Sequence, residues 1–96
     1  MISDFTKKLL HKKFYIDSRL VKENAVFICI KGPKNDGHKF IKSILNKYKK
    51  TIIICEKKSK YSKIYKDNKR VFFCNSSIQF IKDLAKINRL ILDKSF

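Results

Sequence analysis

Three short apolar runs, at residues 25–30, 51–55 and 71–74, constrain the fold of this chain more than any other feature. Each is built mainly from Val, Ile or Phe and hardly alternates with polar residues, the pattern of a strand covered on both faces. Phe14-Tyr15-Ile16 adds a shorter strand ahead of them. Phe40, Ile41, Ile44, Leu45 and Tyr48 then recur at helical spacing, which predicts an amphipathic helix over roughly 38–49, with Asp36 near its start favouring the dipole. The same spacing at Ile78, Phe80, Ile81, Leu84, Ala85, Ile87, Leu90 and Ile91 predicts a last helix, with Asn75, Ser76 or Ser77 as its cap. A further helix is expected over 2–10. The polar stretch 56–70, with Tyr61, Ile64 and Tyr65 as its apolar points, suits a short helix or a loop. The order β-β-α-β-(α)-β-α predicts a small α/β sandwich, two-layer or three-layer, around a mixed, partly parallel sheet. Ninety-six residues suit a single domain over 1–96, of modest stability when alone.

The formal net charge of +16 raises nucleic acid as a partner. Of the 24 basic residues, 21 are Lys and only Arg19, Arg70 and Arg89 offer the planar guanidinium that base readout favours. With 14 Ile, 2 Ala, 2 Gly and 1 Pro, the composition follows AT-rich codons, and the lysines are spread through every segment apart from a loose cluster at 57–69. A solvated basic surface is the stronger reading, and nucleic acid the weaker one. No apolar run approaches the length of a membrane span, and no apolar core follows the charged N-terminus as a signal peptide would require. Cys29, Cys55 and Cys74 each end or interrupt an apolar strand, as buried free thiols do, which favours a reducing, cytoplasmic setting. Their spacing fits no zinc site.

Two polar motifs follow strand-like runs. Asp17-Ser18-Arg19 follows the first strand. Lys31-Gly32-Pro33-Lys34-Asn35-Asp36-Gly37-His38 follows the second and contains both glycines and the only proline. Ligands of α/β proteins gather beyond strand ends, where backbone amides and helix N-termini are free. Ser18 both donates and accepts, which suits a uracil or ribose edge. Arg19 suits a phosphate, or an internal pair with Asp17 or Asp36. On the residues alone, a ligand loop and an ordinary structured turn are equally supported, and His38 fits a structural role better than a catalytic one. Asn24, in a polar turn, suits a left-handed backbone. No Ser-His-Asp set, carboxylate pair or Walker phosphate loop is present.

The stretch from Ile16 to Ile41, with Asp17-Ser18-Arg19, an apolar strand containing Phe27, Gly32, and then Asp36-Gly37-His38-Lys39-Phe40, resembles the N-terminal domain of the Mur ligases. The similar members add the third amino acid or the D-alanyl-D-alanine dipeptide to a peptidoglycan precursor. More loosely, the resemblance extends over residues 14–92. It implies a domain that holds the UDP part of UDP-N-acetylmuramoyl-peptide. Ile16 and Ser18 would contact the uridine, and Pro33, Lys34 and Asn35 would line the nucleotide pocket. Asp17, Arg19, Gly32, Asp36, Gly37 and His38 would brace the loops. No catalytic or metal-binding residue is implied here. ATP and Mg2+ belong to the full-length enzyme, whose central and C-terminal domains are expected to lie outside this chain, leaving it inactive in ligation by itself. Dipeptide addition is favoured by Asp83-Leu84-Ala85-Lys86-Ile87-Asn88-Arg89; third-residue addition is a close second. Asn24-Ala25 and Pro33 depart from the family's pattern. The alternatives are a small basic nucleic-acid-binding module and a truncated gene product without independent activity.

Overall fold

The β-branched and aromatic runs form the strands that their composition favours. A computed structural model describes residues 12–87; the helix expected over 2–10 and the end of the terminal helix lie outside them. Four strands, β1 (Phe14–Tyr15), β2 (Val26–Ile28), β3 (Ile52–Glu56) and β4 (Val71–Cys74), form one sheet in the order β1-β2-β3-β4. Each pairing is parallel, with Phe14 opposite Val26, Val26 opposite Ile52, and Ile53 opposite Val71. The helix expected over 38–49 opens as a 3-10 turn, Gly37–Phe40, and continues as α1, Ile41–Lys47. The polar stretch before β4 holds one 3-10 turn, Lys60–Ser62. The final helix, α2, spans Ser77–Ile87, and the Ser76 hydroxyl caps it by accepting from Gln79 N at 3.2 Å.

Side chains alternate strictly across the sheet. Tyr15, Phe27, Cys29, Ile53, Cys55, Val71 and Phe73 face one side, with Val21, Ile41, Ile44, Tyr61 and Tyr65. Phe14, Val26, Ile28, Ile54, Phe72 and Cys74 face the other, with Leu84, Phe80 and Ile81 of α2. Topology explains the division. Parallel strands in sequential order, joined by right-handed crossovers, carry all their connections on one face. The segments joining β1 to β2, β2 to β3 and β3 to β4 all pack there, and among the described residues the opposite face is covered by α2. Covering both faces makes a three-layer sandwich and buries β2 completely. Cys29 and Cys55 are buried as free thiols, and Cys74 is half-buried. Burial pushes all three thiols up, Cys55 to about 12.

The strand-starting end of the sheet is tied by polar side chains. Asn24, at φ 63°, turns the chain into β2 in the left-handed region. The Glu23 carboxylate accepts from the backbone N–H groups of Asn24, Lys49 and Lys50, joining the turns before β2 and β3. Arg70, just before β4, turns inward. Its guanidinium donates to the carbonyls of Leu45 at 2.7 Å and of Tyr48, satisfying groups that the C-terminus of α1 leaves open. Removing this fork by Arg70→Ala is expected to destabilise the fold by about 1.5–3 kcal/mol, and Arg70→Lys is expected to recover little, because a single ammonium nitrogen replaces the two guanidinium nitrogens that reach the two carbonyls separately. The shift in urea midpoint relative to the unchanged chain measures both.

Candidate functional site

The two polar motifs, 14 residues apart in sequence, meet at the strand-ending edge of the sheet. Residues 16–19 leave β1 and residues 30–37 leave β2, its parallel neighbour, so their loops face each other. Between them lies an open cleft of about 690 Å³ lined by Ile16, Asp17, Ser18, Arg19, Ile30, Gly32, Asn35, Gly37 and Phe40. Ile16, Ile30 and Phe40 supply apolar wall, while Ser18, Asn35 and the loop backbones supply polar groups. A concave, largely apolar site with a few convergent polar groups is what small-molecule binding requires.

Both loops are built by one local device. Asp17 caps the 3-10 turn Ser18–Leu20 by accepting from Arg19 N at 2.9 Å, and the same carboxylate binds the Arg19 guanidinium at 3.1 and 2.9 Å. Asp36 caps the turn Gly37–Phe40 by accepting from His38 N at 3.0 Å, and the same oxygen meets His38 Nδ1 at 2.6 Å. In each case an Asp grips the backbone and side chain of the residue two positions on. The hydrogen bond from Arg19 is the main cause holding the Asp17 carboxyl below its ordinary range. Partial burial pushes Asp36 up, but the backbone and ring N–H groups of His38 outweigh it, and the net shift is downward. Arg19 therefore has its partner in Asp17, and its exposed side chain lies at the cleft rim.

The two motifs differ in burial. The Asp17–Arg19 pair is at the surface, whereas His38 is 1% exposed and its Nε2 accepts from Glu56 N, at the end of β3, at 3.0 Å. Tyr61 stacks beside the His38 ring, with centroids 6.3 Å apart. Gly37 is required by close approach: a Cβ there would sit 3.1 Å from Ile30 N and 3.2 Å from Ile30 O, where Gly37 N donates to Ile30 O at 2.8 Å.

Ile16, Ser18 and Asn35 of the expected binding set line the cleft together with Asp17, Arg19, Gly32 and Gly37 of the expected bracing set. Pro33 and Lys34 are exposed on the outer turn of the second loop and are not among the lining residues. Ile30 and Phe40 line the cleft without having been singled out. Phe40 had a signal, as the aromatic that ends the Asp-Gly-His-x-Phe pattern. Three tyrosines are engaged within the fold: Tyr48 donates its hydroxyl to Val21 O at 2.8 Å, and Tyr61 and Tyr65 pack on the core. Lys57, Lys63 and Lys66 surround a shallower hollow over Phe73. Among the described residues no group of His, Cys, Asp and Glu is arranged to hold a metal ion, and no helix is long and apolar enough to cross a membrane.

Residues 13–89 match the family model of the Mur ligase family, catalytic domain. The chain belongs to the Mur ligase family. Its curated relatives include the UDP-N-acetylmuramoyl-L-alanyl-D-glutamate–2,6-diaminopimelate ligase of Clostridium botulinum, 44% identical over 61 residues, which are 64% of this chain and 12% of that one. The enzyme of the same name from Clostridium tetani is 43% identical over 51 residues, covering 53% and 10% of the two chains. Among solved structures, the MurF ligase from Thermotoga maritima in complex with ADP superposes with a TM-score of 0.64 and 31% identity, over 90% of this chain and 18% of that one. The chain thus spans about a tenth of the length of the curated relatives it matches. The three-layer α/β architecture is that of the Mur ligase domain, and the matched span includes both cleft motifs.

Asp36 makes this Mur ligase domain acid-sensitive in a defined direction. Its folded-state pKa is depressed, so its contribution to stability is complete above the ordinary carboxylate value of about 3.9 and is lost as pH falls through the lower folded value. Asp36→Asn is expected to be less stable near neutral pH and to lose this part of the pH dependence, as thermal unfolding midpoints between pH 2 and 7 would show. An unchanged acid limb in the variant would contradict the assignment.

Proposed function

We propose that this chain is the amino-terminal, substrate-holding domain of an ATP-dependent Mur ligase and that the cleft between the β1 and β2 loops takes the UDP moiety of UDP-N-acetylmuramoyl-peptide. The observation that carries the reading is the meeting of the two family motifs on one cleft of about 690 Å³. Apolar wall at Ile16, Ile30 and Phe40 suits the faces of a nucleobase. The Ser18 hydroxyl, which makes no hydrogen bond among the described residues, is open to a uracil or ribose edge. Asn35 adds an amide beside it, and Lys34, on the outer turn with Pro33, is within the same loop to meet a diphosphate once a ligand is seated. The surplus of lysine over acid favours an anionic nucleotide-sugar by long-range attraction.

The whole enzyme, in this reading, is a cytoplasmic ligase of peptidoglycan-precursor synthesis that joins an amino acid or dipeptide to the precursor's peptide. The names and higher identity of the two clostridial relatives support third-residue addition. Dipeptide addition, suggested by the sequence at 83–89, agrees with the MurF neighbour. The cleft addresses the UDP end, so the choice of incoming residue belongs to other parts of the enzyme. ATP and Mg2+ are likewise assigned to other domains of the full-length ligase, in line with the family and with the ADP-bound MurF neighbour.

Titration of the isotopically labelled 96-residue chain with UDP and with UDP-N-acetylmuramoyl-dipeptide tests the assignment. Amide shifts are expected at residues 16–19 and 30–37, with Ser18→Ala weakening UDP by roughly 5- to 10-fold through the loss of one hydrogen bond. Silence at both loops in millimolar ligand would remove the basis for the proposal.

A further inference from the structure

His38 does more than close its own turn. Its ring lies in a circuit of buried and half-buried hydrogen bonds that ties the cleft loop to three other elements. Asp36 Oδ1 meets Nδ1 at 2.6 Å, and Glu56 N at the end of β3 donates to Nε2 at 3.0 Å. The Glu56 carboxylate turns inward and accepts from Ser77 N, in the first turn of α2, at 2.9 Å. The Ser77 hydroxyl donates to Cys29 O, beyond the end of β2, which returns the circuit to the strand that feeds the cleft loop. His38 and Ser77 are each 1% exposed and Glu56 is 9% exposed, so water competes little for these bonds.

The donor pattern fixes the ring. A backbone N–H can only donate, so Nε2 must present its lone pair to Glu56, and the ring proton must be on Nδ1, donated to Asp36. We infer that His38, held as this Nδ1–H tautomer, is a positioning residue that sets the Asn35–Gly37 wall of the cleft against the end of β3 and the start of α2. The inference rests on the cleft being the UDP site. Gly37 is pressed against Ile30, and Asp36 is gripped by His38, so the wall has little freedom once the ring is anchored. Losing the Nε2 link would release the wall from β3 while leaving the Asp36 turn intact.

Two substitutions separate the ring's two bonds. His38→Gln places an amide oxygen near the Nε2 position, where it accepts from Glu56 N. His38→Asn keeps a donor near Asp36 but is too short to reach β3. Under the inference, His38→Gln retains UDP affinity within about 3-fold and keeps slow amide exchange at Glu56, whereas His38→Asn loses about 10-fold in affinity and exposes that amide. Ring nitrogen shifts of the unchanged chain, read first, should show a protonated Nδ1 and an accepting Nε2. The inference is overturned by an Nε2–H ring, by equal UDP affinity in the two variants, or by unchanged Glu56 exchange in His38→Asn. If the unchanged chain fails to bind UDP, the functional proposal falls, and the ring tautomer and Glu56 exchange still decide whether His38 anchors the wall. The ring measurement needs no variant, so it decides even where a substitution prevents folding.

Discussion

β2 is buried on both faces, and the rest of the structure is arranged to cover it. A parallel strand cannot be reached by a tight hairpin, so each neighbour arrives by a crossover, and sequential right-handed crossovers pile onto one face. Among the described residues, the second face of β2 and β3 is covered by α2 through Leu84, Phe80 and Ile81. The alternate residues Val26, Ile28 and Ile54 share one cluster with these side chains, so the helix is part of the core and not an appendage to it.

The two ends of the sheet use polar groups differently. At the strand-starting end, Glu23 and Arg70 satisfy backbone groups of turns and of the α1 terminus, with Asn24 taking the left-handed corner. These contacts serve stability. At the strand-ending end, the Asp17 and Asp36 turns hold loops open around a cleft, and buried Glu56 and Ser77 anchor one of them. Ligand sites in open α/β sheets sit at this second end, because there the chain leaves the strands with backbone groups still unpaired.

An Asp that grips both the backbone N–H and the side chain of the residue two positions on occurs twice among the described residues, and the two copies differ in use. Asp17–Arg19 stays at the surface, where the pair shapes a rim and is screened by solvent. Asp36–His38 faces inward, where the second ring nitrogen is free to bind another strand. Arginine is all donors and could not accept from Glu56 N; imidazole can donate at one nitrogen and accept at the other. The chemistry of the third residue therefore explains why one loop ends in Arg and the other in His.

The strands, the two helices, the buried thiols and the left-handed turn at Asn24 were all legible in the sequence, because each depends on local spacing or on the intrinsic preference of one residue. So were the two motifs, both of which lie within the span that matches the family to which the chain belongs. Their meeting on one cleft was not legible, since it depends on β1 pairing with β2 in parallel, a contact that local pattern does not encode. Nor was the sheet's fully parallel character among the described strands, which depends on each connection being a crossover and not a hairpin. The inward turn of Arg70 was hidden among 21 lysines that lie mostly in solvent. Glu56 and Ser77 gave no sign of their partnership with His38, because their bonds run between residues 18 and 21 positions apart. Composition and spacing determined which segments fold and which motifs they carry; the tertiary structure alone decided which of those groups face each other, because that depends on long-range strand pairing and burial.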